Sequence, residues 1–154
     1  MTVRRRVAAR LGVAVAAALL AATALGSTSR VQLAGRLTAG QESPPQQARN
    51  LKASGTFLAT VQPAKDGYRL VWKLTFAHLR GAAMSADVHH GSPGHHGAAV
   101  IHLCSPCRSG ATGAQYFSPP EVVLAREGLL YVTVRTAKNT AGEIRGQLRL
   151  SSGA

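Results

Sequence analysis

The chain has 154 residues, of which 45% are hydrophobic and 16% charged, and its formal net charge is +12. That length leaves room for about one domain. The basic residues form no run and no aromatic-interleaved patch beyond the first ten positions, so nucleic-acid binding has little support.

The first element is a leader. Arg4, Arg5, Arg6 and Arg10 precede an uncharged Ala/Leu/Val run from Leu11 to Leu25, and small residues follow at Ala22, Ala24, Gly26 and Ser27. That order predicts a secretory signal peptide over residues 1–26, cleaved after Ala24 or Gly26. A run of 15 residues is short of the roughly 20 that cross a bilayer as a helix, so no stable membrane span is expected after cleavage. No cysteine follows the run, which argues against a lipid anchor there. The predicted location is secreted or extracytoplasmic, at the cell envelope. Beyond the leader, fourteen basic residues face six acidic ones, about +8. Adhesion to an anionic cell surface is one reading of that charge, and an Arg-biased soluble exported protein is the plainer one.

From residue 31 the pattern has period two. Val31, Leu33, Gly35 and Leu37 share one side of the first stretch; Leu51, Ala53, Gly55, Phe57, Ala59 and Val61 share one side of the next. QESPPQQARN (41–50) is a polar connection between them. Asp66-Gly67 predicts a hairpin turn into YRLVWKLTF, where Tyr68, Leu70, Trp72, Leu74 and Phe76 alternate with Arg69, Val71, Lys73 and Thr75. Further strands are expected at 85–90, 98–103, 120–125, 129–136 and 143–150, with a long loop over 105–120 and a turn from Asn139 to Gly142. About eight short antiparallel strands over residues 31–152 predict one all-β domain, a Greek-key β-sandwich or barrel. Phe57, Leu70, Trp72, Leu74, Phe76, Val100, Leu130, Val132, Val134, Ile144 and Leu148 are the expected core.

Cys104 and Cys107 form CSPC after the strand-like run AAVIHL and before a Gly/Ser loop. A redox dithiol would open a helix, where the helix start lowers a thiol pKa. In an exported chain a local disulfide is the expected state. No serine or cysteine has an adjacent base, and the six acids suggest no pair spaced for hydrolysis. No catalytic residue is assigned and no enzymatic activity is expected.

Three stretches together resemble the CHRD domain, the chordin-type repeat that also occurs as single exported bacterial domains. They are LTAGQESPP, LRGAAMSADVHHGSPGHHGAAVIHL and LLYVTVRTAKNTAGEIRGQL. The last is the most specific, carrying Tyr131, Thr136, Gly142, Glu143, Arg145, Gly146 and Gln147. The resemblance spans about residues 33 to 150. It implies a sandwich similar in outline to copper/zinc superoxide dismutase, secretion, no established reaction, and a binding or structural role with a protein or cell-surface partner. In GEIRGQ, Ile144 and Leu148 point inward while Glu143, Arg145 and Gln147 share the other face. Glu143 pairing with Arg145, or Arg145 bonding to loop carbonyls, would make the motif structural.

Four of the six histidines fall in DVHHGSPGHHG (87–97). The family's middle motif usually reads Ala-His-Ile-His-Gly, with a further histidine late in the Tyr-Val-Asn-Val-His-Thr strand. Residues two apart on a strand share a face, so such imidazoles would converge and suit copper or zinc. Here Asp87 and Arg135 take two of the three positions, His89 is retained, and Thr133 replaces the asparagine. A carboxylate still ligates zinc; a guanidinium has no lone pair to give. If the two strands are neighbours, Asp87 and Arg135 form a charge-assisted pair in place of the histidines. If not, both are exposed and contribute little. His90 faces the opposite side from His89. His95 and His96 lie in a Gly/Pro loop that could fold back toward Asp87 and His89, and these four make up the candidate metal set. His102 and His78 have no evident partner. The expected cofactor is none; the alternative is a copper/zinc metalloprotein or a remote dismutase-like enzyme.

Overall fold

Alternating residues build most of this chain, because a strand sends successive side chains to opposite faces and buries one set. The computed structural model describes residues 30–43 and 52–151. The expected signal peptide and part of the 41–50 connection lie outside the described residues. In chain order the elements are β1 (Val31–Thr38), a 3-10 turn (Ala39–Gln41), β2 (Ser54–Ala64), β3 (Gly67–Ala77), β4 (Ala83–His90), β5 (Ala99–Cys104), β6 (Ala111–Phe117), α1 (Pro119–Glu127), β7 (Leu130–Thr136), β8 (Asn139–Gln147) and the two-residue β9 (Arg149–Leu150).

The strands form one antiparallel sheet in the order β5-β4-β7-β8-β1-β2-β3-β6, with β9 paired to β1. The end strands β5 and β6 approach each other, so the all-β sheet nearly closes into a barrel. Its interior is filled by Leu33, Leu37, Phe57, Leu70, Trp72, Leu74, Val88, Val132, Val134, Ile144 and Leu148, all buried. No helix among the described residues is long and apolar enough to cross a membrane.

Four local expectations are corrected. Residues 120–125 belong to helix α1, not to a strand. The β-branched pair Val122–Val123 favours a strand, but Ser118 and Glu121 close a capping box, Pro119 sits where a helix needs no N–H, and Gly128 ends the helix at φ 70°. The span read as a long loop over 105–120 contains β6, which pairs with β3. Trp72 rests on Gly113 there and donates its indole N–H to Gln115. The turn before the last long strand is Ala137–Lys138, and β8 already begins at Asn139. In β5 the fully inward pair is Ile101 and Leu103, and Val100, like Phe76, packs against the core from a half-buried position at its margin. Cys104 and Cys107 are joined by a disulfide at the end of β5.

Candidate functional site

The register of β5, β4, β7 and β8 lays out the outer face of that half of the barrel as two cross-strand rows. One reads His102, Asp87, Thr133, Arg145; the next reads Ala99, His89, Tyr131, Gln147. Arg135, two residues from Thr133 on β7, projects beside Asp87. On an ordinary half-buried sheet this face would meet solvent. Here Asp87, His89, Tyr131, Thr133 and Arg145 are all buried. Two segments cover them: the loop Gly91–Gly97 from one side and the 3-10 turn with Glu42 from the other.

The first cluster centres on Asp87. Arg135 Nη1 donates to its Oδ2 at 2.5 Å, and His102 Nδ1 lies 2.8 Å from its Oδ1. Arg135 also reaches His89, with Nη2 3.1 Å from Nε2. A guanidinium can only donate, so His89 Nε2 is the ring's lone pair. The proton is then on Nδ1, which donates to the Gly97 carbonyl at 3.0 Å. Burial pushes the His89 pKa below its ordinary value, and the Arg135 charge pushes it the same way. His89 is thus held neutral between a cation and a loop carbonyl. Its ring stacks on Tyr131 at 5.1 Å between centroids.

The second cluster surrounds Arg145. Its guanidinium lies over the Tyr131 ring, 3.4 Å from the centroid. Nη2 donates to the Ser92 carbonyl at 2.9 Å and to Gln147 Oε1 at 3.4 Å. Gln147 ties the covering segments down: Nε2 donates to the Gly91 and Gly128 carbonyls, and its backbone N–H donates to Gln41 Oε1. Thr133 Oγ1 donates to Glu42 Oε1 at 2.7 Å. Burial raises the Glu42 pKa, while the Thr133 bond and the Arg145 charge pull it back. Gly142, at φ 150°, leaves the space this carboxyl occupies; a Cβ there would collide with it. Gly97 is equally constrained, since a Cβ would strike the His90 carbonyl. Its N–H donates to the Tyr131 hydroxyl at 3.2 Å.

Glu143 faces elsewhere. A register shift next to Gly142 separates it from the Arg145 row, and its carboxylate accepts from Thr136 Oγ1 at 2.7 Å and from the Arg80 N–H at 2.6 Å. The motif GEIRGQ therefore serves two layers: Glu143 fixes the Arg80 segment, and Arg145 with Gln147 fixes the histidine-containing loop.

The candidate metal set is not brought together. Asp87 and His89 are adjacent, but the Arg135 guanidinium lies between the carboxylate and the free imidazole nitrogen. His95 is exposed and turned to its own loop, with Nδ1 3.1 Å from Ser92 Oγ and from the Pro93 carbonyl. His96 is exposed and joins neither Asp87 nor His89 in any hydrogen bond among the described residues. Among the described residues no group of three His, Cys, Asp or Glu side chains is placed to hold a metal. These residues do not fit a copper or zinc centre. His102, left without a partner by the sequence reading, is part of the Asp87 cluster. Glu42 and Gln41 had no role assigned from the sequence although both stand in LTAGQESPP, and Tyr131 was named only as part of the closing motif.

No curated protein and no solved structure matches the chain. The sequence model of the CHRD domain matches residues 33–148, from β1 to the end of the Gln147 network. The three stretches that carried the resemblance are the ones that meet in the covered polar layer, and the chain belongs to the CHRD domain family.

Proposed function

We propose that this protein works at the cell exterior as a non-enzymatic CHRD module that binds an anionic partner. The observation that carries this reading is the placement of its acids. Glu42, Asp87 and Glu143 are buried, and Glu121 closes the capping box of α1. Asp66 and Glu127 are the exposed acids among the described residues. On the basic side only Arg145 is buried among the described residues. The exterior is therefore more basic than the formal charge suggests, and such a surface attracts polyanions.

The outer face of β1, β2, β3 and β6 offers the most suitable ground. Arg36, Arg69 and Lys73 project from it, Lys73 beside the exposed Leu58 and Arg69 beside the exposed Tyr116. No acid lies on the outer face of these strands. The absence of a reaction in this proposal rests on the polar cluster itself, where the Asp87 carboxylate and the His89 imidazole are engaged by Arg135, His102 and the Gly97 carbonyl.

Retention of the purified protein on immobilised polygalacturonate, compared with neutral dextran, tests this. Retention should fall steeply between about 50 and 200 mM salt, and the Arg69→Ser/Lys73→Ser pair should weaken it roughly tenfold while Lys138→Ser does little. Equal retention on neutral dextran, or indifference to salt, refutes the proposal. Metal analysis after dialysis tests the competing copper/zinc reading: one tightly held ion that disappears on His89→Ala would replace the binding-module account.

A further inference from the structure

Arg145 is 1% exposed, and two of its donors, Nε and Nη1, have no hydrogen-bond partner. Buried guanidinium donors are normally paired, because each loses its water on folding. The same side chain lines a cavity of about 440 Å³ between Gly40–Ser43 and Pro93–Gly94, with Gln147 at its side. That volume lies within the roughly 300–1,000 Å³ of small-molecule sites. We propose that this cavity binds a small organic monoanion, a carboxylate carrying a hydroxyl group, with Arg145 as its anchor.

The lining selects that class. Gln41 and Gln147 have their amides engaged within the protein, so they hold the walls and do not read a ligand. The cation is single, and Glu42 lies within reach of its field. A dianion such as phosphate would bring two charges toward one guanidinium and meet the Glu42 carboxyl. A monoanion answers Arg145 alone, and its neighbouring hydroxyl can donate to Glu42. Nη2 is already bonded to Ser92 and Gln147, so Nε and Nη1 act singly and a two-pronged clamp through Nη2 is not available. Both free donors are covered in this structure, so an anion reaches them only if the Pro93–Gly94 lip moves. That lip is exposed, and Gly94, at φ 78°, has open space around it. The glycine-rich stretch that first drew notice for its histidines thus forms one wall of an anion site, independent of the basic sheet face proposed above.

Sodium lactate is the probe, titrated into ¹⁵N-labelled protein by NMR with phosphate as the comparison. The Arg145 Nε–H resonance and the amides of Ser43, Gly94 and Gln147 should move together and saturate with lactate, more tightly than with phosphate. Arg145→Lys, which keeps charge but changes donor geometry, should weaken lactate roughly tenfold. If that variant does not fold, the wild-type Nε–H resonance still decides. Glu42→Gln should narrow the preference for lactate over phosphate. No saturable movement of the Nε–H signal, or movement spread over the Arg69/Lys73 face instead, overturns the proposal.

Discussion

The two halves of the barrel use one strand alternation to different ends. In β2 and β3, buried Phe57, Ala59, Val61, Leu70, Trp72 and Leu74 alternate with largely exposed neighbours, and one face meets water. In β4, β7 and β8 the alternation persists, but both faces are buried: Val88, Val132, Val134 and Ile144 inward, Asp87, His89, Tyr131, Thr133 and Arg145 outward beneath two covering segments. In the first half the buried side chains between the strand ladders contribute mainly apolar area. The second adds a polar layer whose members satisfy one another, and there each lost partner leaves a buried group unpaired.

The largest expected effect is in the half with one core. Phe57→Ala removes a fully buried ring that stacks near Trp72, 6.2 Å between centroids. It should cost about 3–5 kcal/mol by denaturant titration, the range for emptying such a site. Thr136→Val is the matching change in the other half. It keeps shape but removes the donor to the buried Glu143 carboxylate and the acceptor for the Asn139 N–H. An expected loss of about 1–3 kcal/mol makes the polar layer a structural element of its own. A loss near zero would mean that it rests passively on the core, and the contrast between the halves would fail.

Arg135→His probes the same layer chemically. It takes away the guanidinium that occupies His89 Nε2 and Asp87, and it adds a third donor of the kind zinc and copper accept. About one copper or zinc per chain should survive dialysis in this variant and not in the wild type. Equal retention by both proteins would show that Arg135 is not what keeps metal out.

Proton linkage separates His89 and Glu42 by sign. The folded-state pKa of His89 lies below its ordinary 6.5. As pH falls below that value the unfolded chain takes up the proton first, so stability declines down to the lowered pKa. Glu42 has the opposite sign. Its folded pKa is raised above 4.5, so its contribution is fully present below that pH and is lost as pH rises through the raised value. His89→Gln can still accept from Arg135 and donate to Gly97. Thermal melts should show little change at pH 8 and a flatter decline below pH 6.5. An unchanged acid limb would place that decline elsewhere.

How far the sequence disclosed all this follows from the same contrast. The hairpin of β2 and β3 was legible because one face is wet, so burial and polarity alternate together. For β4 the alternation put Asp87 and His89 on one face, and the structure places that face, with Arg135 of β7, away from the core. The alternation could not show that face being covered, because covering depends on Gln41 and Glu42, far along the chain from Thr133 and Gln147, and on Ser92 folding back from the end of β4 onto Arg145 of another strand. Strand periodicity carries no record of such contacts. The position of Arg135 beside Asp87 became visible through the CHRD comparison, which aligned both residues with histidines expected to converge. The helix Pro119–Glu127 was missed for the reverse reason: its capping signal is local and strong, but the VVL run has the composition of a strand.

The smallest expected effect closes the comparison. Leu58 is 51% exposed on the outer face of β2, opposite Lys73. Nothing folds over this part of the sheet among the described residues, so Leu58→Ser removes area already in water and should change stability by no more than about 0.5 kcal/mol. The same substitution should reduce retention on polygalacturonate only slightly, because the attraction there comes from Arg36, Arg69 and Lys73. A large stability loss at Leu58 would mean that this face too is covered, and the outward surfaces of the two halves would then obey one rule instead of two.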